Sequence, residues 1–165
     1  MEKLQREFDV VLFGATGFTG ALVAEHLFRR LGAGSSELRW ALAGRNPDKL
    51  EGVRAELGGG AAALPILVGD AGSAEDMRAM AERPRVVCTT VGPYAKYGAP
   101  LIEACVATGT DYCDLTGEVP WMQRMIETAR RAVGVHRATE VFYEDVCQDP
   151  EKELRRLLDP LDIPV

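Results

Sequence analysis

The chain has no excess of basic residues. Its 19 lysines and arginines stand against 25 aspartates and glutamates, for a net charge of −6. Nucleic acid is therefore disfavoured as a partner, since gripping phosphates takes a basic surface. Histidine is scarce, with two residues, and the four cysteines (Cys88, Cys105, Cys113 and Cys147) form no C-x-x-C pair. Zinc-type ligand spacing is missing, so no metal is expected. No apolar run approaches the roughly 20 residues that cross a membrane. The opening stretch MEKLQREFD lacks the apolar core of a signal peptide, which points to the cytoplasm and to reduced thiols. There is no repeat of fixed period, and no low-complexity tract beyond Gly58–Ala63.

What is present is an ordinary soluble balance, 47% hydrophobic and 27% charged over 165 residues, enough for one well-buried core. Short β-like runs alternate with helical stretches. DVVLF (9–13), LRWALAG (38–44), LPILVG (64–69), RVVCTTV (85–91) and DYCDL (111–115) read as strands. Between and after them, residues 21–31, 47–57, 73–82, 99–109 and 120–132 read as helices. The first carries a Leu22, Val23, Leu27, Leu31 stripe and the second a Leu50, Val53, Leu57 stripe. Pro47 suits a helix start, and Ser73 three residues before Asp76 resembles a capping box. Repeated strand–helix alternation predicts an α/β, Rossmann-type doubly wound, mainly parallel sheet with helices on both faces.

The first strand runs into FGATGFTG (13–20). Gly14 follows the strand, where a tight turn needs unusual backbone angles. Gly17 would let the backbone approach a pyrophosphate, and Gly20 would let the helix pack closely on the strand. The helix N-terminus would supply N–H groups and partial positive charge. Thr16 and Thr19 add hydroxyls, and Phe18 completes the loop. The spacing is G-x-x-G-x-x-G, and no lysine lies between Lys3 and Lys49, so a P-loop is excluded. A packing turn without ligand remains the alternative.

The second strand ends AGRNPDK. An acidic residue at this point selects NAD by gripping the ribose 2′-hydroxyl. Arg45 stands there instead, suited to the 2′-phosphate of NADP, with Lys49 in support. A merely solvated Arg45 is the alternative, and Asp48 keeps NAD open. Asp70, after the third strand, is a candidate for the adenine amino group. After the fourth strand, Gly92 and Pro93 are candidates for close approach to the cofactor. Tyr94 and Tyr97 are weak catalytic candidates, for which loop packing is the plainer reading. No Tyr-x-x-x-Lys dyad is present.

FGATGFTG, AGRNPDKL, VGPYAKYGAPLIEACVATGTDYCDLTGE and VPWMQRMI together resemble the N-terminal NADP-binding domain of the saccharopine dehydrogenase-like oxidoreductases, in the branch of the trans-acting enoyl reductases. The resemblance spans about residues 8–132. It implies NADP(H) and hydride transfer to an enoyl, imine or carbonyl group on a lipid-type or small-molecule substrate. It also matches Gly14, Gly17, Gly20, Arg45 and the Gly92–Pro93 loop to cofactor positions. Asp114, Thr116 and Glu118 match a motif of the family without an assigned role.

The family continues into a second, substrate-handling domain. Here residues 132–165 read AVGVHRATEVFYEDVCQDPEKELRRLLDPLDIPV, and over about 133–165 YED…DP…LRRLL resembles a sulfotransferase C-terminal segment. The expectation is a binding domain at 1–132 and a strand–helix extension at 133–165 packed on it, with the substrate domain lacking. A non-catalytic dinucleotide-binding module or a fragment truncated or fused near residue 133 is the alternative. A sulfotransferase relation is the weaker one. A homodimer through the exposed sheet edges stays open.

Overall fold

A strand buried on both faces needs apolar residues throughout rather than in alternation. WALAG meets that condition, and all five of its residues are buried. The computed structural model describes residues 6–33 and 38–133, together with Lys152. Five strands, β1 (Phe8–Phe13), β2 (Trp40–Gly44), β3 (Ile66–Val68), β4 (Pro84–Thr89) and β5 (Asp111–Cys113), form one parallel sheet. Its order is β3-β2-β1-β4-β5. The helices are α1 (Phe18–Leu31), α2 (Pro47–Glu56), α3 (Ala74–Ala81), α4 (Tyr94–Thr108) and α5 (Val119–Val133). This is the expected doubly wound, Rossmann-type fold.

Two compact units divide the chain, Met1–Met122 and Gln123–Val165. The first holds the sheet, α1 to α4 and the start of α5. Of the second, the rest of α5 and Lys152 are described. The strand expected at 139–146, the helix after Pro150, Cys147 and the sulfotransferase-like pattern lie outside the described residues.

Strand alternation sends neighbouring side chains to opposite faces. On one face Leu12, Trp40 and Leu42 meet Ala24 of α1 and Leu50 of α2. On the other, Val11, Phe13, Ala41, Ala43 and Val87 meet Met77 and Met80 of α3 and Leu101 and Ala104 of α4. Each fully buried leucine contributes about 1.5–3 kcal/mol. The helix pairs therefore cover opposite faces. The chain winds from β1 out to β3, then crosses to β4 on the other side of β1. The reversal leaves a crevice at the carboxyl ends of β1 and β4, the place where such sheets take ligands.

Local chemistry sets the starts of α2 and α3. Asn46 accepts from the Lys49 N–H at 3.0 Å and Pro47 takes the first turn of α2. Ser73 accepts from the Asp76 N–H at 3.2 Å. Only half of a capping box results, because the Asp76 carboxylate turns away to accept from the Asp70 N–H at 2.9 Å. Two expectations change. Leu22 is 51% exposed, and the inward side of α1 is instead built from Gly20, Val23, Ala24, Leu27 and Phe28. And α4 begins at Tyr94 rather than near Ala99, with Pro100 inside it. The reason for that early start lies in the site.

Candidate functional site

The glycine loop is fixed by its own backbone and by β2. The Gly14 and Ala15 N–H groups donate to the Ala43 carbonyl at 2.9 and 3.1 Å. Gly14 adopts φ +93°, a left-handed conformation that favours glycine. Its carbonyl accepts from the Gly17 N–H at 2.9 Å. Gly20 packs directly on that carbonyl: a Cβ on Gly20 would lie 2.1 Å from the Gly14 oxygen. A Cβ on Gly17 would touch nothing closer than that same oxygen, at 3.4 Å. Gly14 and Gly20 are thus required by packing, whereas Gly17 faces outward and is exposed.

Across the crevice, Thr90 locks the two loops together. Its N–H donates to the Phe13 carbonyl at 2.9 Å and its hydroxyl to the Gly14 carbonyl at 3.1 Å. A Cβ on Gly14 would sit 2.7 Å from the Thr90 hydroxyl oxygen. Thr90 carries only a faint mark in the amino-acid order. The available signal was a polar residue closing an apolar strand beside a glycine loop.

The N-terminus of α1 has Gly17 as its cap residue, with no side-chain hydrogen bond to it and no acidic residue in the first turn. Thr16 is half-buried, and Phe18 and Thr19 are exposed beside that end. Such a terminus presents N–H donors and partial positive charge. The geometry suits an anion.

Arg45 follows β2 directly and is exposed, as are Asp48 and Lys49 in the first turn of α2. Asp70 is exposed after β3. One of its carboxylate oxygens accepts from the Gly72 N–H at 2.8 Å, which shapes the turn into α3. Gly92 and Pro93 are exposed after β4, joined by a cis peptide bond. All the cofactor candidates from sequence lie in the loops and first helical turns that follow β1, β2, β3 and β4.

The two tyrosines differ. Tyr94 is buried and its hydroxyl donates to the Thr89 carbonyl at 3.3 Å. Burial first, with Asp114 and Glu118 adding repulsion, pushes its phenol above the ordinary range. Tyr97 is half-buried against the α3–α4 side of the core, with the Lys96 ammonium 4.8 Å from its ring centre.

The Asp114-Leu-Thr-Gly-Glu118 stretch forms a chain of hydrogen bonds. Asp114 accepts from the Tyr112 hydroxyl at 2.6 Å and from the Thr116 N–H at 3.0 Å. The Thr116 hydroxyl accepts from the Glu118 N–H at 3.1 Å. The Glu118 carboxylate then accepts from the Tyr94 N–H at 2.7 Å and the Ala95 N–H at 3.0 Å. These are the first donors of α4. A carboxylate 24 residues downstream caps the helix, which lets it start five residues earlier than local signals suggest.

Cys88 and Cys113 face each other in the β4–β5 register. Hydrogen bonding from the Cys113 thiol lowers Cys88 to about 7, against the opposing effect of burial. Donating that bond to Cys88 pushes the exposed Cys113 thiol upward. Burial raises Cys105 to about 12. Among the described residues no group of three or more His, Cys, Asp and Glu could hold a metal ion. None of the described helices is long and apolar enough to cross a membrane.

The family model for the saccharopine dehydrogenase NADP binding domain matches residues 10–149. The chain belongs to this family. The match runs past residue 132, where the resemblance read from sequence stopped. A trans-acting enoyl reductase of Mycobacterium tuberculosis is 50% identical over 127 residues, 77% of this chain and 29% of the relative. The chain thus spans under a third of the length of that relative. An NADPH-dependent quinone oxidoreductase of Escherichia coli, solved with NADPH, superposes with a TM-score of 0.56 at 20% identity, over 75% of this chain and 45% of that one. Saccharopine dehydrogenase of Saccharomyces cerevisiae gives 0.51 at 16%, over 74% and 25%. At those identities the two structures speak for the fold. The chain is an NADP(H)-binding domain of the saccharopine dehydrogenase-like oxidoreductases.

Proposed function

We propose that the crevice between β1 and β4 holds NADP(H) and that the chain serves a reductase. The observation that carries this is the bare α1 N-terminus at the strand reversal, seated on glycines that bring it against β1. The N–H groups of Phe18, Thr19 and Gly20, with the Thr16 hydroxyl, bind the pyrophosphate, Gly17 lets it approach the backbone, and Gly14 supplies the turn that presents them. Arg45, supported by Lys49, pairs with the 2′-phosphate. Asp70 meets the adenine amino group. Gly92 and Pro93 line the nicotinamide side.

When bound, the dinucleotide supplies a hydride for an enoyl, imine or carbonyl carbon. The chain's own residues orient that ligand and hold it against the strand ends. Tyr94 is committed to the Thr89 carbonyl, which leaves Tyr97 as the phenol to test as proton donor. A cytoplasmic setting keeps the thiols reduced.

Titration with NADPH, NADH and 3′-phosphoadenosine 5′-phosphosulfate tests the reading. Micromolar NADPH binding with weak NADH binding is expected. A folded protein that ignores NADPH, or prefers the phosphosulfate, overturns it. Turnover of an enoyl, imine or carbonyl substrate separates a reductase from a binding module without catalysis, and Tyr97→Phe then tests the phenol.

A further inference from the structure

Two helix N-termini flank the crevice, and only one is open. The end of α4 is filled by the chain itself. Glu118 accepts from both Tyr94 and Ala95 N–H groups, at 2.7 and 3.0 Å. It is anchored in turn through its own N–H to Thr116, whose N–H binds Asp114, which holds the Tyr112 hydroxyl of β5. The chain of contacts runs from β5 to the residue that follows Pro93. The Gly92–Pro93 segment is therefore tied at both ends. Thr90 binds it to the glycine loop, and Glu118 binds its exit into α4.

We infer that Glu118 is a positioning residue for the cofactor, which sets the Gly92–Pro93 segment at the nicotinamide side while leaving the adenosine side untouched. The inference rests on the reading of the crevice as the NADP(H) site. Three physical points support it. Glu118 is half-buried, and its two bonds are charge-assisted, the one from Tyr94 short at 2.7 Å. A carboxylate at a helix N-terminus also meets the positive end of the peptide dipoles. Finally, the same carboxylate denies that terminus to phosphate, so the pyrophosphate is directed to α1 alone. Glu118 touches neither ligand nor reacting atoms in this role. It acts through the backbone of Tyr94 and Ala95.

The test compares NADPH with 2′,5′-ADP, which carries only the adenosine side, on the full chain and on Glu118→Ala, Glu118→Gln and Thr116→Ala. In Glu118→Ala, NADPH affinity should fall about tenfold, the scale of losing a helix cap, while 2′,5′-ADP affinity stays within about twofold. The Glu118→Gln amide oxygen still accepts one N–H and should restore part of the loss. Thr116→Ala frees the anchor of Glu118 and should shift the NADPH to 2′,5′-ADP affinity ratio the same way by a smaller factor. The emission of bound NADPH should also move toward that of the free form in Glu118→Ala. If Glu118→Ala does not fold, the ratio in Glu118→Gln and Thr116→Ala decides. A ratio equal to that of the unaltered chain, or parallel loss of both ligands with thermal stability, overturns the inference. An unaltered chain that binds neither ligand overturns the crevice reading itself, a result visible before any variant is made.

Discussion

The N-termini of α1 and α4 rise from adjacent strands, β1 and β4, and are treated in opposite ways. The α1 end has glycine as its cap residue, no acidic residue in its first turn and no side chain bonded to it. The α4 end receives both oxygens of Glu118. Asn46 and Ser73 likewise cap α2 and α3. Unmet N–H groups at a helix start are a cost that side chains normally remove. Leaving α1 bare while α4 is filled from 24 residues away sorts the two ends by task. On the proposed reading, one is kept for a ligand, and the other is closed so that its loop stays in place.

The largest expected effect comes from Gly20→Ala. The new methyl carbon would meet the Gly14 carbonyl oxygen at 2.1 Å. Backbone cannot yield there as a side chain would, so a loss of about 3 kcal/mol or more is expected. Chemical denaturation checks it, with NADPH binding lost as α1 is pushed off β1. Unchanged stability would mean that the α1 end is not seated as described.

Gly17→Asp attacks the difference itself by giving α1 the kind of cap that α4 has. Gly17 is exposed at φ −83° and ψ 164°, which any residue adopts. Thermal stability should hold or rise slightly, while NADPH affinity falls by about tenfold or more, because the new carboxylate competes for the N–H groups and repels pyrophosphate. Calorimetric titration reads the affinity, and stronger binding would sink the anion assignment for α1.

Arg45→Ala should weaken NADPH about tenfold and leave NADH unchanged, as expected for one charge-assisted grip on the 2′-phosphate. Equal loss for both would assign Arg45 a structural part instead. Smaller still are the controls: Asn46→Ala and Ser73→Ala should each cost about 1 kcal/mol in denaturation with no change in NADPH affinity. On the β4 side, Cys88 gives a pH reading. Its thiol sits at about 7, below which it is protonated and unreactive and above which it is thiolate. Its alkylation rate should rise about tenfold between about pH 6 and pH 8. Cys113→Ala should shift that rise toward higher pH, since it removes the donor that lowers the Cys88 thiol. A labelling rate flat across that range would contradict the thiol pair.

Much of this arrangement is legible in the amino-acid order because its causes are local. Continuous apolar runs mark β1 and β2, Pro47 and Ser73 mark helix starts, and three glycines after β1 mark the turn into α1. The misreadings have non-local causes. Nothing between Gly92 and Ala99 announces a helix start at Tyr94, because its cap is Glu118, brought close only when β5 pairs with β4. Leu22 fits a helical stripe, yet α1 lies so near β1 at Gly20 that its first inward positions are Gly20, Val23 and Ala24, and Leu22 is left facing outward. Thr90 resembles any strand-end threonine until the fold sets it on the Gly14 carbonyl. The residue types of the crevice can be read along the chain, but the ties between its two loops exist only across strands.

One feature of the packing has an optical consequence. The two tryptophans are buried in different places. Trp40 lies beneath α1 and α2, its indole N–H on the Gly32 carbonyl at 3.0 Å. Trp121 presses into the notch left by Gly98 of α4, where a methyl carbon would come within 2.3 Å of the ring. Each side of the sheet thus carries its own fluorophore. With Trp40→Phe and Trp121→Phe as single-emitter proteins, the melting of each side can be followed separately. Coincident curves would mark one cooperative unit, and separated curves would reveal a half that loosens first.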